Sequence, residues 1–395
     1  MDQSTELSEQ YLIAAARAAT GLERFGDESF LPGLRVMLAG LASEARLNHS
    51  GRLRAQSAIL MSLKNRLWAN ACFEAHPEIL NRRIVAPVVI VGPMRSGTTR
   101  LQRVLAVDDR LQHLTAWEGF NPAPRPGLPD HGRHERHLEV KTFLDRRREV
   151  NPAAYAAHPM DADWAEEETL LLNHSFSGFA FLGTYDMPSY RNWYLASDRS
   201  DSYRYMVKLL KLISWSRGEP EDKPWLLKAP PHMLALDVLV KEFPDARLLF
   251  THRDPIKTTC STMSLMWAFY HQNTETPSRE ALRDIWLDMC ERMGVACMRA
   301  RDALPRAQQF DVYYEEMDSD WRSVMRRIYA FLGLGYDASI ERLLAAWIED
   351  SARSNHHGQH RYSLEEFGTT ATEVDARMMA YRQRYAIPYE SHGPA

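Results

Sequence analysis

The stretch from Ile84 to Thr99 constrains this 395-residue chain more tightly than any other part of it. Ile84-Val85-Ala86-Pro87-Val88-Val89-Ile90-Val91 is a short run dominated by β-branched apolar residues. That is the pattern of a strand buried on both faces of a parallel sheet. Gly92 ends the run, and Thr98 to Leu105 continues as a helix with Leu101, Val104 and Leu105 on one face. Between them, Gly92-Pro93-Met94-Arg95-Ser96-Gly97-Thr98-Thr99 has the spacing G-x-x-x-x-G-K-S/T, with Thr98 where a lysine usually stands. Glycines at those positions let the backbone turn tightly, so that successive N–H groups converge on an anion at the helix N-terminus. Arg95 and the hydroxyls of Ser96, Thr98 and Thr99 add charge and donors. The blander alternative is a strand–turn–helix connection whose Ser and Thr only cap the helix.

The same grammar returns three times. Trp225-Leu226-Leu227-Lys228 precedes a helix from about Met233 to Phe243. Ala246 to Thr251 precedes one beginning near Pro255, and Phe310 to Tyr314 precedes one from about Asp318 to Leu332. Strands alternating with helices predict an α/β fold with a P-loop-like parallel sheet flanked by helices. Residues 1–83 read as a helical N-terminal cap: Leu60, Leu63, Leu67 and Ala71 follow a helical period, and no strand-like alternation precedes Arg83. The α/β domain is expected over 84–395, with a large inserted lid at about 119–215 where the alternation lapses.

The chemistry of the loop narrows the possibilities. A P-loop kinase or ATPase uses lysine at the β/γ-phosphates and holds Mg²⁺ through the Ser/Thr and an Asp at a strand end. Here the lysine position holds Thr98, and no strand ends in an evident partner Asp. A transferring sulfuryl group carries less charge and is served by arginine, lysine and backbone donors alone. Pro93 to Thr99 resembles the 5′-phosphosulfate loop of sulfotransferases that use 3′-phosphoadenosine-5′-phosphosulfate (PAPS). The Arg-Ser-Gly-Thr-Thr version is similar to that of tyrosylprotein sulfotransferases and many bacterial members. In Thr251-His252-Arg253-Asp254-Pro255 an arginine closes a strand, and Ser261 follows eight positions later. The family grips the 3′-phosphate with such an Arg and Ser, and a guanidinium fork plus a hydroxyl suits a monophosphate dianion.

The resemblance also implies roles elsewhere. Lys228, at a strand end and followed by Ala-Pro-Pro-His, matches the lysine placed at the bridging oxygen or sulfonate. Two residues contend for the base that takes the acceptor proton. Glu118 follows Leu114-Thr115-Ala116-Trp117, which reads as the second strand, and burial would raise its pKa toward neutrality. His232 lies four residues after Lys228, whereas phenol and steroid sulfotransferases place a histidine two residues after theirs. Cytosolic members carry tryptophan directly after the Thr pair, stacked on adenine; this chain has Arg100. Arg353 and Arg361 are further partners for the 3′-phosphate. His356, His357 and His360 lack metal-ligand spacing and nearby acids, so no metal is expected.

Net charge is −4, which excludes a general nucleic-acid binder. The four cysteines form no CxxC pair, the N-terminus has no signal-peptide pattern, and no long apolar run spans a membrane. A cytoplasmic enzyme follows as the expectation. Trp164, Phe176, Phe179, Phe181, Tyr185, Tyr190, Trp193 and Tyr194 crowd the insertion, either as its core or as the wall for an aromatic, lipid-like or natural-product acceptor. Asp161, Asp163, Glu166, Glu167 and Glu168 read as a solvated helix start or a contact for a cationic or polyhydroxy acceptor. The expected activity is metal-free in-line transfer of a sulfuryl group from PAPS to a hydroxyl or amine of a small molecule, releasing 3′,5′-ADP. A P-loop nucleotide kinase or ATPase is the alternative, and a nucleotide-binding scaffold without chemistry is the third possibility.

Overall fold

The computed structural model describes residues 6–354 and 363–390. Five strands form one parallel sheet in the order β2-β3-β1-β4-β5. They are β1 (Val88–Val91), β2 (Gln112–His113), β3 (Trp225–Lys228), β4 (Arg247–His252) and β5 (Gln309–Tyr313). β1 lies between β3 and β4, with all four of its residues buried, which is why its sequence is apolar without alternation. Its expected start at Ile84 moves to Val88. Ala86 has φ 42° and donates its N–H to Asp245, and Pro87 has no N–H for a ladder.

One sheet face packs Val88, Ile90, Leu226 and Leu249 against Leu101 and Val104 of the helix Thr98–Leu105, and against Ile328 of the helix Trp321–Leu332. On the opposite face Phe250 carries the guanidinium of Arg301, 3.8 Å from its ring centre, from the helix Arg279–Asp302. The helix expected after β3 is split. Pro230 and Pro231 set a 3₁₀ turn over Pro230–Leu234, and an α-helix follows at Leu236–Glu242. The expected 318–332 helix is likewise two, Tyr314–Ser319 and Trp321–Leu332, because Asp320 caps the second by accepting from the Ser323 N–H. The expected second strand at Leu114–Trp117 is not one. β2 stops at His113, and Ala116–Phe120 is a helical turn.

The described chain falls into two units. The first takes the chain up to Arg83, Leu114–Asp222 and Met266–Pro277. It is helical, with Glu9–Thr20, Leu31–Ser43, His49–Ala75, Arg133–Val150 and Ser200–Arg217 as its longer helices. Arg66 is buried there between the rings of Phe30 and Tyr205, at 4.1 and 3.9 Å, and donates to the carbonyls of His174 and Asp27. Phe176, Phe179, Phe181, Tyr185, Tyr190 and Tyr194 are core residues, whereas Trp164 is exposed. Glu166 and Glu168 are buried, not the solvated helix start that the acidic run suggested. The second unit takes Ile84–His113, Lys223–Leu265 and the chain from Ser278 onward, and holds the sheet. All four cysteines are free, and burial pushes the thiols up, to about 11 for Cys72 and about 12 for Cys260, Cys290 and Cys297. No helix among the described residues is long and apolar enough to cross a membrane.

Beside the sheet, His252 donates from Nε2 to Asp311 (2.6 Å) and accepts at Nδ1 from the Tyr381 hydroxyl (3.0 Å), and Arg301 pairs with the same carboxylate. Burial alone would raise the Asp311 pKa, but the hydrogen bonds from His252 and Arg301 and the arginine's charge outweigh it and hold it at about 2. A depressed carboxylate stabilises the fold above its unfolded pKa, and that contribution disappears as pH falls toward 2. With about a third of the side chain in solvent, Asp311→Asn should cost roughly 1–2 kcal/mol at pH 7. Urea titrations at pH 7 and pH 3 should find that difference roughly halved at the lower pH.

Candidate functional site

The loop after β1 is shaped by two close approaches. A Cβ on Gly92 would lie 2.1 Å from Thr251 Oγ1 and 2.8 Å from the Thr251 carbonyl, so only glycine fits. Gly97 has φ 89°, and a Cβ there would stand 3.0 Å from the Tyr314 ring. Ser96 Oγ donates to the Pro93 carbonyl (2.6 Å), so the Thr251 hydroxyl, 2.6 Å away, donates to Ser96. Thr251 thus seats the loop on β4. Arg95 holds φ 68°, a conformation that a non-glycine residue adopts only at a cost. Directly after Gly97 the helix Thr98–Leu105 begins, and the N–H groups of a first helical turn have no partner within the helix.

Parallel register then gathers charged groups at the carboxyl ends of three neighbouring strands. Lys228, the last residue of β3, pairs in register with Ile90 and is completely buried. Its Nζ donates to Thr99 Oγ1 at 3.1 Å. Arg95 donates from Nε to Ser261 Oγ at 2.9 Å. Arg253 follows β4, stacks 3.9 Å over the ring of Tyr314, and donates from Nη1 to the Arg95 carbonyl at 3.2 Å. Its other face forks onto Glu390, Nε to Oε1 at 2.7 Å and Nη2 to Oε2 at 3.0 Å. Arg95, Ser96, Gly97, Thr98, Thr99, Lys228, Arg253 and Ser261 therefore share one neighbourhood in the second unit. His232 lies in the same unit, fully buried on the 3₁₀ turn after β3. Beside Arg253, a cleft of about 300 Å³ is lined by His252, Tyr313, Tyr314, Glu315, Glu316 and the 386–388 segment.

Glu118 belongs to the first unit, on the turn Ala116–Phe120 instead of behind a strand. Thr115 and Glu118 form a capping box there: Glu118 Oε2 accepts from the Thr115 N–H (3.2 Å) and hydroxyl (2.6 Å). Arg217, the last residue of the helix Ser200–Arg217, forks onto both oxygens, with Nε to Oε1 at 2.7 Å. Burial would raise the Glu118 pKa, but the charge and hydrogen bonds of Arg217, with those of Thr115, override it and hold the carboxyl below its ordinary value. The expected rise toward neutrality does not occur. Arg100 pairs with Asp318 at 3.0 Å, and Arg353 with Glu349 at 3.4 Å on an exposed helix surface. Arg361, His356, His357 and His360 lie outside the described residues. Among the described residues, no group of three or more His, Cys, Asp or Glu is placed to hold a metal ion.

Sequence reasoning missed Thr251, Tyr314, Arg217 and Glu390. The capping box around Glu118 had a signal, Thr-x-x-Glu. The partner residues had none, since each meets its counterpart across a long stretch of chain.

Residues 87–338 match the model of the sulfotransferase family. The chain is 24% identical over 298 residues, 69% of its length and 71% of the relative's, to the omega-hydroxy-beta-dihydromenaquinone-9 sulfotransferase Stf3 of Mycobacterium tuberculosis. Among solved structures it is similar to the sulfotransferase STF9 of Mycobacterium avium, with TM-score 0.86, 26% identity, and 99% and 100% of the two chains covered. The sulfotransferase STF1 of Mycobacterium tuberculosis aligns with TM-score 0.81 at 26% identity, covering 94% and 98%.

Removing Arg217 would strand a buried carboxylate. Arg217→Gln should destabilise the protein by about 3 kcal/mol at pH 7, the scale of breaking one side of a buried pair. Without its partner Glu118 would take up a proton more readily, so the deficit should shrink by pH 5 in denaturant titrations; a pH-independent deficit would contradict the ion-pair account.

Proposed function

The chain belongs to the sulfotransferase family, and from that we propose that it moves a sulfuryl group from PAPS to a hydroxyl, or an amine, of a small-molecule acceptor by in-line transfer without a metal. One observation carries the donor assignment: Arg95, Thr99, Lys228, Ser261 and Arg253 meet at the carboxyl ends of β1, β3 and β4. This donor set suits a ligand with two separated anionic ends. The loop amides, Arg95 and the hydroxyls of Ser96, Thr98 and Thr99 are assigned to the 5′-phosphosulfate, and Arg253 with Ser261 to the 3′-phosphate. Gly92 and Gly97 keep that cradle clear of side chains.

In the reaction the acceptor oxygen forms a bond to sulfur as the bond from sulfur to the phosphate oxygen breaks. The acceptor proton passes to a base, and 3′,5′-ADP leaves. Lys228 is assigned to the negative charge that develops on the leaving phosphate, where a fixed cation in a dry site lowers the barrier most. Lys228→Ala should reduce kcat about 10²–10³-fold and also weaken 3′,5′-ADP binding, since the 5′-phosphate of that product carries the same charge fully developed.

Glu118 is assigned as the base on the resemblance to tyrosylprotein and heparan sulfotransferases, in which a glutamate in this region acts as base. Arg217 keeps it ionised and ready to accept a proton at every pH near neutrality. His232 is the second reading, favoured by the fact that both Glu118 oxygens already accept hydrogen bonds. A base works only when deprotonated, so activity falls as pH drops through its pKa. A Glu118 base predicts an acid limb below about pH 4.3, the ordinary carboxylate value. Activity retained in Glu118→Gln and lost in folded His232→Asn would move the role to histidine.

A small hydroxylated acceptor is supported by the relative named for an omega-hydroxy-dihydromenaquinone. Free cysteines throughout are compatible with work in the reducing cytoplasm. Thr98 in place of a lysine weighs against a nucleoside-triphosphate kinase. Calorimetry in EDTA tests the donor site. 3′,5′-ADP should bind, 5′-ADP and ATP should bind at least tenfold more weakly, and Arg253→Ala should remove that preference. Binding of ATP alone, restored by Mg²⁺, would return the chain to the kinase reading.

A further inference from the structure

The C-terminal segment presents a carboxylate to the arginine assigned to the 3′-phosphate. Glu390 meets Arg253 with both oxygens, at 2.7 and 3.0 Å, in the bidentate geometry that a phosphate also takes. Both side chains are mostly buried, so the pair is not a loose surface contact. We propose that Glu390 is an internal competitor for the 3′-phosphate subsite, setting how tightly the enzyme holds its donor and how quickly it lets go of 3′,5′-ADP. The proposal rests on the assignment of Arg253 made above.

Two features make such a competitor effective. First, the backbone leading into Glu390 is pinned independently of the pair. Arg382 donates from Nη1 to the carbonyls of Ile387 and Pro388 at 3.2 and 3.1 Å, and forks through Nη2 and Nε onto Asp254 and Asp375. The Glu390 N–H donates to Asp254 Oδ2 at 2.9 Å, and Tyr389 lies 3.7 Å from the Arg382 guanidinium. Exchange therefore needs only rotation of the Glu390 side chain, not release of the segment, and the neighbouring cleft of about 300 Å³ gives it room. Side-chain rotation is fast compared with turnover. Second, Arg253 stays in place when the carboxylate leaves, because Tyr314 and the Arg95 carbonyl hold it from other directions.

The selectivity follows from charge. A 3′-phosphate carries about −1.5 to −2 against −1 for the carboxylate, so it wins the fork. A nucleotide lacking that phosphate never contests it. An internal ligand seated nine-tenths of the time weakens the observed affinity about tenfold. Removing it should strengthen binding of 3′-phosphorylated nucleotides alone.

Calorimetry on the full chain with 3′,5′-ADP and 5′-ADP, comparing wild type, Glu390→Gln, Glu390→Ala and Arg253→Ala, tests the proposal. Both Glu390 variants should bind 3′,5′-ADP three- to tenfold more tightly, with slower dissociation in stopped flow, and bind 5′-ADP as wild type does. Unchanged or weaker 3′,5′-ADP binding in folded Glu390 variants, while Arg253→Ala loses it, overturns the competitor role and leaves the donor site standing. If Arg253→Ala itself leaves 3′,5′-ADP binding intact, the Arg253 assignment fails and the competitor role fails with it.

Discussion

Gly92 lies so close to Thr251 that a side chain there would collide with the Thr251 hydroxyl and carbonyl. The candidate site depends on that contact. It brings the loop down onto β4, where the Thr251 hydroxyl holds Ser96, and it fixes the height at which Arg95 crosses to Ser261. The same step along β4 delivers Arg253 beneath the Arg95 carbonyl. A single added methyl group at residue 92 would push the loop off its support and spread the five polar side chains that it collects. The sheet supplies the rest: with β1 central and all strands parallel, the carboxyl ends of β3, β1 and β4 are neighbours by construction.

Most of the polar side chains around this loop are tied into pairs whose members come from different segments. Asp254 illustrates the arrangement, since it follows Arg253 directly and receives Arg382 on one oxygen and the Glu390 N–H on the other. His252, on the other side of Arg253, is held by Asp311 and Tyr381. The arginine is thus flanked by two buried, fully partnered residues, and its backbone has little freedom to drift. Positioning of this kind suits a site that discriminates by the geometry of one phosphate.

How much of this was legible in the sequence varied with the range of the interaction. The β-branched run, the glycine spacing and the helix Thr98–Leu105 are set by neighbours in the chain, and the sequence pattern placed them to within a few residues. The family match over 87–338 accords with the resemblance drawn from the loop and from Arg253. Leu114–Trp117 misled because its residues suit a strand, while the Thr115–Glu118 capping box bends them into a helical turn. Arg217 and Glu118 are 99 residues apart, and Arg253 and Glu390 are 137 apart. No periodicity or local motif carries that information. The pKa argument failed for the same reason: burial of Glu118 could be anticipated, but the arginine that reverses its effect could not.

The distribution of cysteines gives the protein a built-in reporter. Cys72 alone belongs to the first unit, and Cys260, Cys290 and Cys297 belong to the second. Burial keeps every one of these thiols protonated far above neutral pH, and thiols react as thiolates. Cys72, Cys260 and Cys297 are also buried, so a thiol reagent at neutral pH must wait for local opening to reach them, whereas Cys290 is only partly buried. Mass spectrometry of the labelled peptides would read the opening of the helical unit at Cys72 and of the sheet-bearing unit at Cys260 and Cys297. The native chain, without any engineered label, thereby distinguishes whether its two parts unfold together or in turn.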